Sequence, residues 1–248
     1  MNAFDMRPLP QRVPATPPAG TRLYVVGDIH GYLDTLTRLH RLIARDAAEA
    51  RAERNVVVYL GDYVDRGPDS RGVVEILLRA PLTGFERVHL KGNHEAALLD
   101  FLDGREPSMD WLRFGGIETL ASYGVPPPRR SAELDDTRID FERLMPPDHL
   151  AFYRDLALTR IEGDFLMVHA GIRPGIAIAD QSPDDLMWIR EPFLRSDASF
   201  GKIVVHGHTI EKRPQIRHNR IGIDTGIYRY GKLTCAVMES GELGFIQA

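Results

Sequence analysis

A chain of 248 residues is long enough for one large α/β domain with a full core, or at most two small ones. Its 43% hydrophobic and 27% charged residues are ordinary for a soluble globular protein. A net charge of −4 argues against a general nucleic-acid or anionic-membrane binder. Cys235 is the only cysteine, which excludes an intramolecular disulfide, and its apolar neighbours (residues 233–238) read it as a small buried thiol. No apolar run approaches the length of a membrane span, so the expected location is cytoplasmic. Residues 1–20 hold five prolines and no apolar segment; they read as a disordered tail before a folded domain at 21–248, not as a signal peptide.

The first predicted strand, residues 23–26, ends in Gly27-Asp28-Ile29-His30-Gly31. Asp28 and His30 are two apart and would point the same way in an extended segment, which makes them half of a metal site. Apolar residues at Leu33, Leu36, Leu39, Leu42 and Ile43 then give helical spacing to residues 33–50. The second strand, residues 56–60, runs into Gly61-Asp62-Tyr63-Val64-Asp65-Arg66-Gly67-Pro68, the stretch around which the rest is organised. Its glycines allow a tight turn that brings two carboxylates and a guanidinium together, one acid for a cation, the other to orient a neighbour, and the Arg to fork onto phosphate.

A helix is expected over residues 70–79, then a strand at 87–90 ending in Lys91-Gly92-Asn93-His94-Glu95, and a helix over 95–102. The Asn93 carbonyl can serve a metal and leave His94 as a proton carrier. Residues 104–148 are less regular: 109–123 shows helical spacing broken by Gly115-Gly116, 124–136 reads as an exposed loop, and the whole is expected to form a small cap near the site or else to cover one sheet edge. Strands at Phe165–Val168 and at 203–205 end in His169-Ala170-Gly171 and His206-Gly207-His208-Thr209, and a closing hairpin begins near Lys232.

Ligands of open α/β sheets gather beyond the carboxyl ends of strands, so Asp28, His30, Asp62, Asn93, His94, His169, His206 and His208 are expected to converge. A mixed oxygen and nitrogen set without thiolates suits two adjacent divalent ions such as Mn, Fe or Zn, with Asp62 placed to bridge them.

The blocks GDIHG, GDYVDRG, GNHE, HAG and GHT, in this order, resemble the signature of the phosphoprotein phosphatase family of calcineurin-like metallophosphoesterases. The late Ile223-Asp224-Thr225-Gly226 resembles its compact bacterial and phage branch. The resemblance implies an α/β fold, a two-sheet β-sandwich flanked by helices. It implies that Asp28, His30 and Asp62 hold one metal while Asp62, Asn93, His169 and His208 hold the other, manganese being the first expectation. His94 is then the general acid, oriented by Asp65, with Arg66, Arg190 and Asn93 on the substrate. The implied reaction is in-line attack by a hydroxide bridging the metals on phosphoserine or phosphothreonine in proteins, with phosphotyrosine or a small phosphoester as further substrates. The alternative is a symmetrical dinucleoside polyphosphate (Ap4A-type) hydrolase. That branch usually has a neutral residue at the position of Asp65 and Asp at that of Glu95, so this sequence leans to the monoesterase. Lys91 stands where the family commonly has Arg, and His206 is expected to support the ligands without joining them.

Overall fold

The computed structural model describes residues 11–79, 82–105 and 108–248. The elements in chain order are β1 (Gln11–Arg12), β2 (Thr21–Val26), α1 (Leu33–Ala50), β3 (Arg54–Tyr59), α2 (Ser70–Leu78), β4 (Phe85–His89), α3 (Asn93–Leu102), α4 (Ser108–Trp111), α5 (Ile117–Ser122), α6 (Leu134–Leu144) and α7 (Pro147–Arg154). They continue with β5 (Thr159–Glu162), β6 (Phe165–Val168), α8 (Pro183–Trp188), β7 (Ile203–His206), β8 (Gln215–Ile216), β9 (Arg220–Gly222), α9 (Ile227–Tyr230), β10 (Thr234–Glu239) and β11 (Glu242–Gln247).

These strands form two mixed sheets, ordered β1-β11-β10-β2-β3-β4 and β5-β6-β7-β9-β8. In the first, β2, β3 and β4 are parallel; in the second, β6, β7 and β9 are parallel. Period-two alternation assigns each sheet's faces. Leu23, Val25, Val56 and Val58 meet Phe165, Met167, Val205 and Ile221 in the seam between the sheets. Their chain neighbours Tyr24, Val26, Val57 and Tyr59 turn the other way, onto Leu36, Leu39 and Ile43 of α1 and Val73, Val74 and Leu77 of α2. Leu166, Val168 and Val204 cover the far face of the second sheet together with Leu186 of α8. At about 1.5–3 kcal/mol for each large side chain removed from water, the seam and the two outer layers are the main stabilising terms. The fold is thus a sandwich of two sheets with helices outside, as the resemblance implied.

Several expectations change in detail. Residues 1–10 of the expected tail lie outside the described residues. Residues 11–20 are held in place: Gln11 and Arg12 pair with Leu243 and Glu242, Ala15 is buried, and the Thr16 N–H donates to Asp164 at 3.0 Å. A strand edge left open by β11 captures this segment despite its prolines. Within residues 124–136, helix α6 has already begun at Leu134, and its charge-rich sequence hides the burial of Phe141 among Phe101, Trp111 and Tyr123. Residues 109–123 form two short helices joined by a π turn, where Gly115 adopts φ 116° and breaks the helical path. This region closes one side of the site as a wall continuous with the main core.

Candidate active site

Parallel strands β2, β3, β6 and β7 all deliver their carboxyl ends to one edge of the sandwich, and the loops that follow carry the polar cluster. Asp62 is at its centre. Its Oδ2 lies 3.7 Å from His30 Nε2 and 3.9 Å from His94 Nε2, and its Oδ1 lies 3.4 Å from His169 Nε2. Two groups, His30–Asp62–His94 and Asp62–His169–His208, each bring their ligand atoms within 4.8 Å of one another, and all of these residues are buried. Asn93 Oδ1 is 2.9 Å from both His169 Nε2 and His208 Nδ1. Asp28 reaches the cluster differently from its expected pairing with His30. Its carboxylate accepts the His208 backbone N–H at 3.1 Å, while His30, at φ 47°, leaves the extended path and turns to Asp62.

The backbone is forced into this arrangement. Seven non-glycine residues have positive φ among those described, and five of them, His30, Asp62, Asp65, Arg66 and His208, belong to the site. Each such conformation costs roughly 1–3 kcal/mol and persists only where the surroundings hold it. Glu95 supplies much of the hold. Its buried carboxylate accepts N–H groups from Asp62 (2.9 Å), Tyr63 (2.7 Å), Val64 (3.4 Å) and Gly92 (2.9 Å), tying α3 to the loop after β3. Burial and the Asp62 charge push its pKa up to about 8, against those donors. Two motif glycines have a steric reason. A Cβ on Gly92 would lie 2.1 Å from Asp62 Oδ1, and one on Gly207 would lie 2.1 Å from Asp28 Oδ1.

Electrostatics separates the imidazoles. Burial lowers the pKa of His30, His169 and His208, the last to about 2, so these rings are neutral with lone pairs to offer. His30 Nδ1 donates to the Val64 carbonyl and His169 Nδ1 to the Leu60 carbonyl, each at 3.0 Å, which turns both Nε2 lone pairs inward. Among the described residues, the buried His208 Nε2 has no hydrogen-bond partner. His94 differs: burial opposes its charge, but Asp62 and Asp65 outweigh it and raise its pKa. For Asp62, burial is overcome by the imidazoles around it, among which His94 keeps its proton, and the carboxyl is held below its usual range. Neutral imidazoles, an ionised central carboxylate, an amide oxygen and an orphaned buried nitrogen are a donor set that fits divalent cations.

His94 Nδ1 lies 2.6 Å from Asp65 Oδ2, and Asp65 is itself gripped by Trp111 Nε1 (3.0 Å) and Thr119 Oγ1 (2.6 Å). Arg66 stacks its guanidinium 4.3 Å over Tyr228, with Nη1 3.0 Å from His30 Nε2. Arg190 donates to the His208 carbonyl at 3.4 Å. The cluster floors a pocket of about 460 Å³ whose walls include Arg66, Arg190, Arg229, Phe114, Trp188 and Tyr228. Every residue expected at the site except His206 is therefore in or against it. His206 faces Phe193 instead, with Nδ1 against the Gly207 carbonyl, and Lys91 is not among the described residues lining the pocket. Sequence reasoning missed Arg229, Tyr228, Phe114 and Thr119, and gave no role to Asp224, a buried carboxyl that burial and Asp62 push up to about 6. Only Asp224 had a signal, the Ile223-Asp224-Thr225-Gly226 run; the others come from segments without a motif.

Residues 21–212 match the sequence profile of the calcineurin-like phosphoesterases. An asymmetrical bis(5'-nucleosyl)-tetraphosphatase, PrpE of Bacillus subtilis, is 28% identical over 234 residues, covering 85% of this chain and 88% of that protein. Among solved structures, a candidate diadenosine tetraphosphatase superposes with a TM-score of 0.64 at 22% identity, covering 96% of this chain and 98% of the other. A cold-active protein tyrosine phosphatase superposes with a TM-score of 0.59 at 18% identity, covering 92% and 78%. These two likenesses speak to the fold. With the converging strand-end ligands and the matched profile, the chain belongs to the calcineurin-like phosphoesterase family.

Proposed function

We infer that this protein is a metal-dependent hydrolase of dinucleoside polyphosphates. The observation that carries the reading is the number of cations on the pocket wall. Arg66, Arg190 and Arg229 surround a cavity floored by the metal-ligating cluster, more positive charge than a single phosphoryl group requires and suited to a chain of phosphates. The similarity to named dinucleoside tetraphosphatases supports it. Theirs is asymmetrical cleavage, not the symmetrical cleavage that the alternative from sequence named.

In this reading Asp28, His30 and Asp62 hold one divalent ion, and Asp62, Asn93, His169 and His208 hold the other. Ions bound there supply Lewis-acid activation of water and neutralise charge on the phosphoryl group. The arginines fix the phosphate chain and offset charge as the P–O bond breaks. His94 delivers a proton from Nε2 to the departing oxygen, since Asp65 accepts from Nδ1 and fixes both tautomer and ring direction. Water adds to phosphorus, its proton leaves to solvent, and the leaving phosphate departs protonated by His94.

A second reading, hydrolysis of phosphoserine or phosphothreonine, is favoured by that same acid. A terminal phosphate is a good leaving group, whereas a serine alkoxide needs the proton. The test is to strip the protein with chelator, reload it with manganese, and follow diadenosine tetraphosphate and a phosphoserine peptide side by side. The reading expects the dinucleotide to be preferred, with ATP and AMP as products. Turnover of the peptide alone would replace it with the second reading, and two ADP would make the cleavage symmetrical.

A further inference from the structure

A second cavity of about 280 Å³ opens beside the pocket floored by the Asp62 cluster, and Phe114 and Trp188 line both. Its character is different. Phe101, Trp111 and Ala97 make the remaining apolar wall, and Asp100, Asp110 and Arg105 stand on the rim. Phe114 and Trp188 are 59% and 47% exposed, although each has a large apolar surface that water disfavours, while Trp111 is buried beneath them. Single exposed aromatics need no account, but two on the shared border of a catalytic pocket and an aromatic-lined cleft do.

We propose that this cleft receives a nucleobase of the substrate, stacked against Trp188 and Phe114, while the adjoining phosphates run over the arginines to the metal-ligating cluster. The proposal rests on the dinucleoside polyphosphate reading and names the part of the substrate that the phosphate site leaves unrecognised. Flat π faces suit a planar heterocycle, every base has such a face, and base–aromatic stacking is tolerant of base identity. The rim carboxylates, paired with Arg105 and Arg113, offer acceptors beside donors for the edge of a base or its ribose. The cleft is also coupled to the chemistry. Trp111, its floor, is the side chain whose Nε1 donates to Asp65, the partner of His94. A base seated there would steady the acid pair.

The first experiment uses the manganese-loaded full chain, its Phe114→Leu and Trp188→Leu variants, and two substrates, diadenosine tetraphosphate and inorganic tripolyphosphate. The ratio of kcat/KM for the dinucleotide to that for the bare polyphosphate is expected to fall roughly 5- to 150-fold in each variant, the range of one lost stacking partner, with most of the loss in KM. An unchanged ratio in variants that still turn over the dinucleotide overturns the cleft and leaves the functional reading standing. The second experiment needs no turnover. The chain has only two tryptophans, Trp111 and Trp188, and both line the cleft. ADP is therefore expected to quench the tryptophan fluorescence of the wild type where inorganic pyrophosphate does not, and to do so more weakly in Phe114→Leu. Quenching by ADP without hydrolysis of diadenosine tetraphosphate would discard the functional reading and keep the nucleobase site. No quenching by ADP overturns the cleft, and so does a stronger response to a phosphoserine peptide bearing a neighbouring leucine, which would make the cleft a peptide side-chain site.

Discussion

Glu95→Gln isolates what holds the loop that carries Asp62, Asp65 and Arg66. The substitution keeps size and shape, so it opens no cavity. Both carboxylate oxygens face donors only: Oε2 takes Asp62 and Gly92, and Oε1 takes Tyr63 with Val64 at a longer 3.4 Å. Whichever way the amide is turned, its NH2 meets backbone N–H groups, so above about pH 8, where Glu95 is ionised, one or two charge-assisted hydrogen bonds are lost. At about 1.5–3 kcal/mol each, the expected destabilisation is about 1.5–6 kcal/mol, a sizeable part of the roughly 5–15 kcal/mol of a typical domain. For a chain of this size each kcal/mol moves the melting temperature by roughly 2–4 °C, so calorimetry should show a fall of roughly 3–24 °C. Urea unfolding should show a lower midpoint with an unchanged slope. A loss below about 1 kcal/mol would refute the reasoning. It would mean that Glu95 is carried as the neutral acid, for which an amide is a close mimic, and that the strained loop is held by its other contacts.

Further predictions concern the site and the pH response. His94→Asn should leave metal content intact and lower kcat by about 10²–10⁴-fold on an alkyl phosphate, but by much less on p-nitrophenyl phosphate, whose leaving group needs little protonation; equal losses on both would remove His94 as the acid. Asp62→Asn should lower bound manganese measured by plasma mass spectrometry, and unchanged content of both ions would end its bridging role. The His40 pKa is pushed down to about 4 by burial. The unfolded chain therefore binds the extra proton between pH 4 and about 6.5, and stability should fall as pH drops through that window, by up to about 3 kcal/mol from this group. Urea midpoints of His40→Gln should vary less with pH there; a curve parallel to the wild type would assign the acid sensitivity elsewhere.

The main strands and the polar residues placed at their ends were legible because they are local. Alternating Val, Tyr and Leu set the faces of β2 and β3, and each ligand follows its strand within a few residues. Helix α1 was legible to the residue, since Leu36, Leu39 and Ile43 repeat at helical spacing and are all buried. Helix α6 was not, because it carries six charged residues in eleven and buries little beyond Phe141 and Thr137. The short edge strand β5, Thr159–Glu162, was missed for a related reason. Its Glu162 is held by Arg54 of β3 and by Arg160, so part of its place in the fold is set by ion pairs with a residue a hundred positions away. The pocket walls were the least legible part. Phe114, Trp188 and the adjacent pair Tyr228 and Arg229 come from three distant parts of the chain, and only the packing of the π turn, α8 and α9 around the cluster makes them neighbours.

The division of the ligands between the sheets bears on how the protein assembles. Asp28, His30, Asp62 and Asn93 follow strands of one sheet, while His169 and His208 follow strands of the other, so in the proposed ligand sets the ion held by Asp62, Asn93, His169 and His208 cannot be fully ligated until both layers have met. The bare chain must close the sandwich on its apolar seam alone. Loading then acts as a clasp between layers that were already together, and stabilises the closed form in proportion to how far the free ion exceeds its dissociation constant. Withholding manganese from the newly made protein would thus leave a folded but looser sandwich, and its melting temperature should climb with the logarithm of added ion.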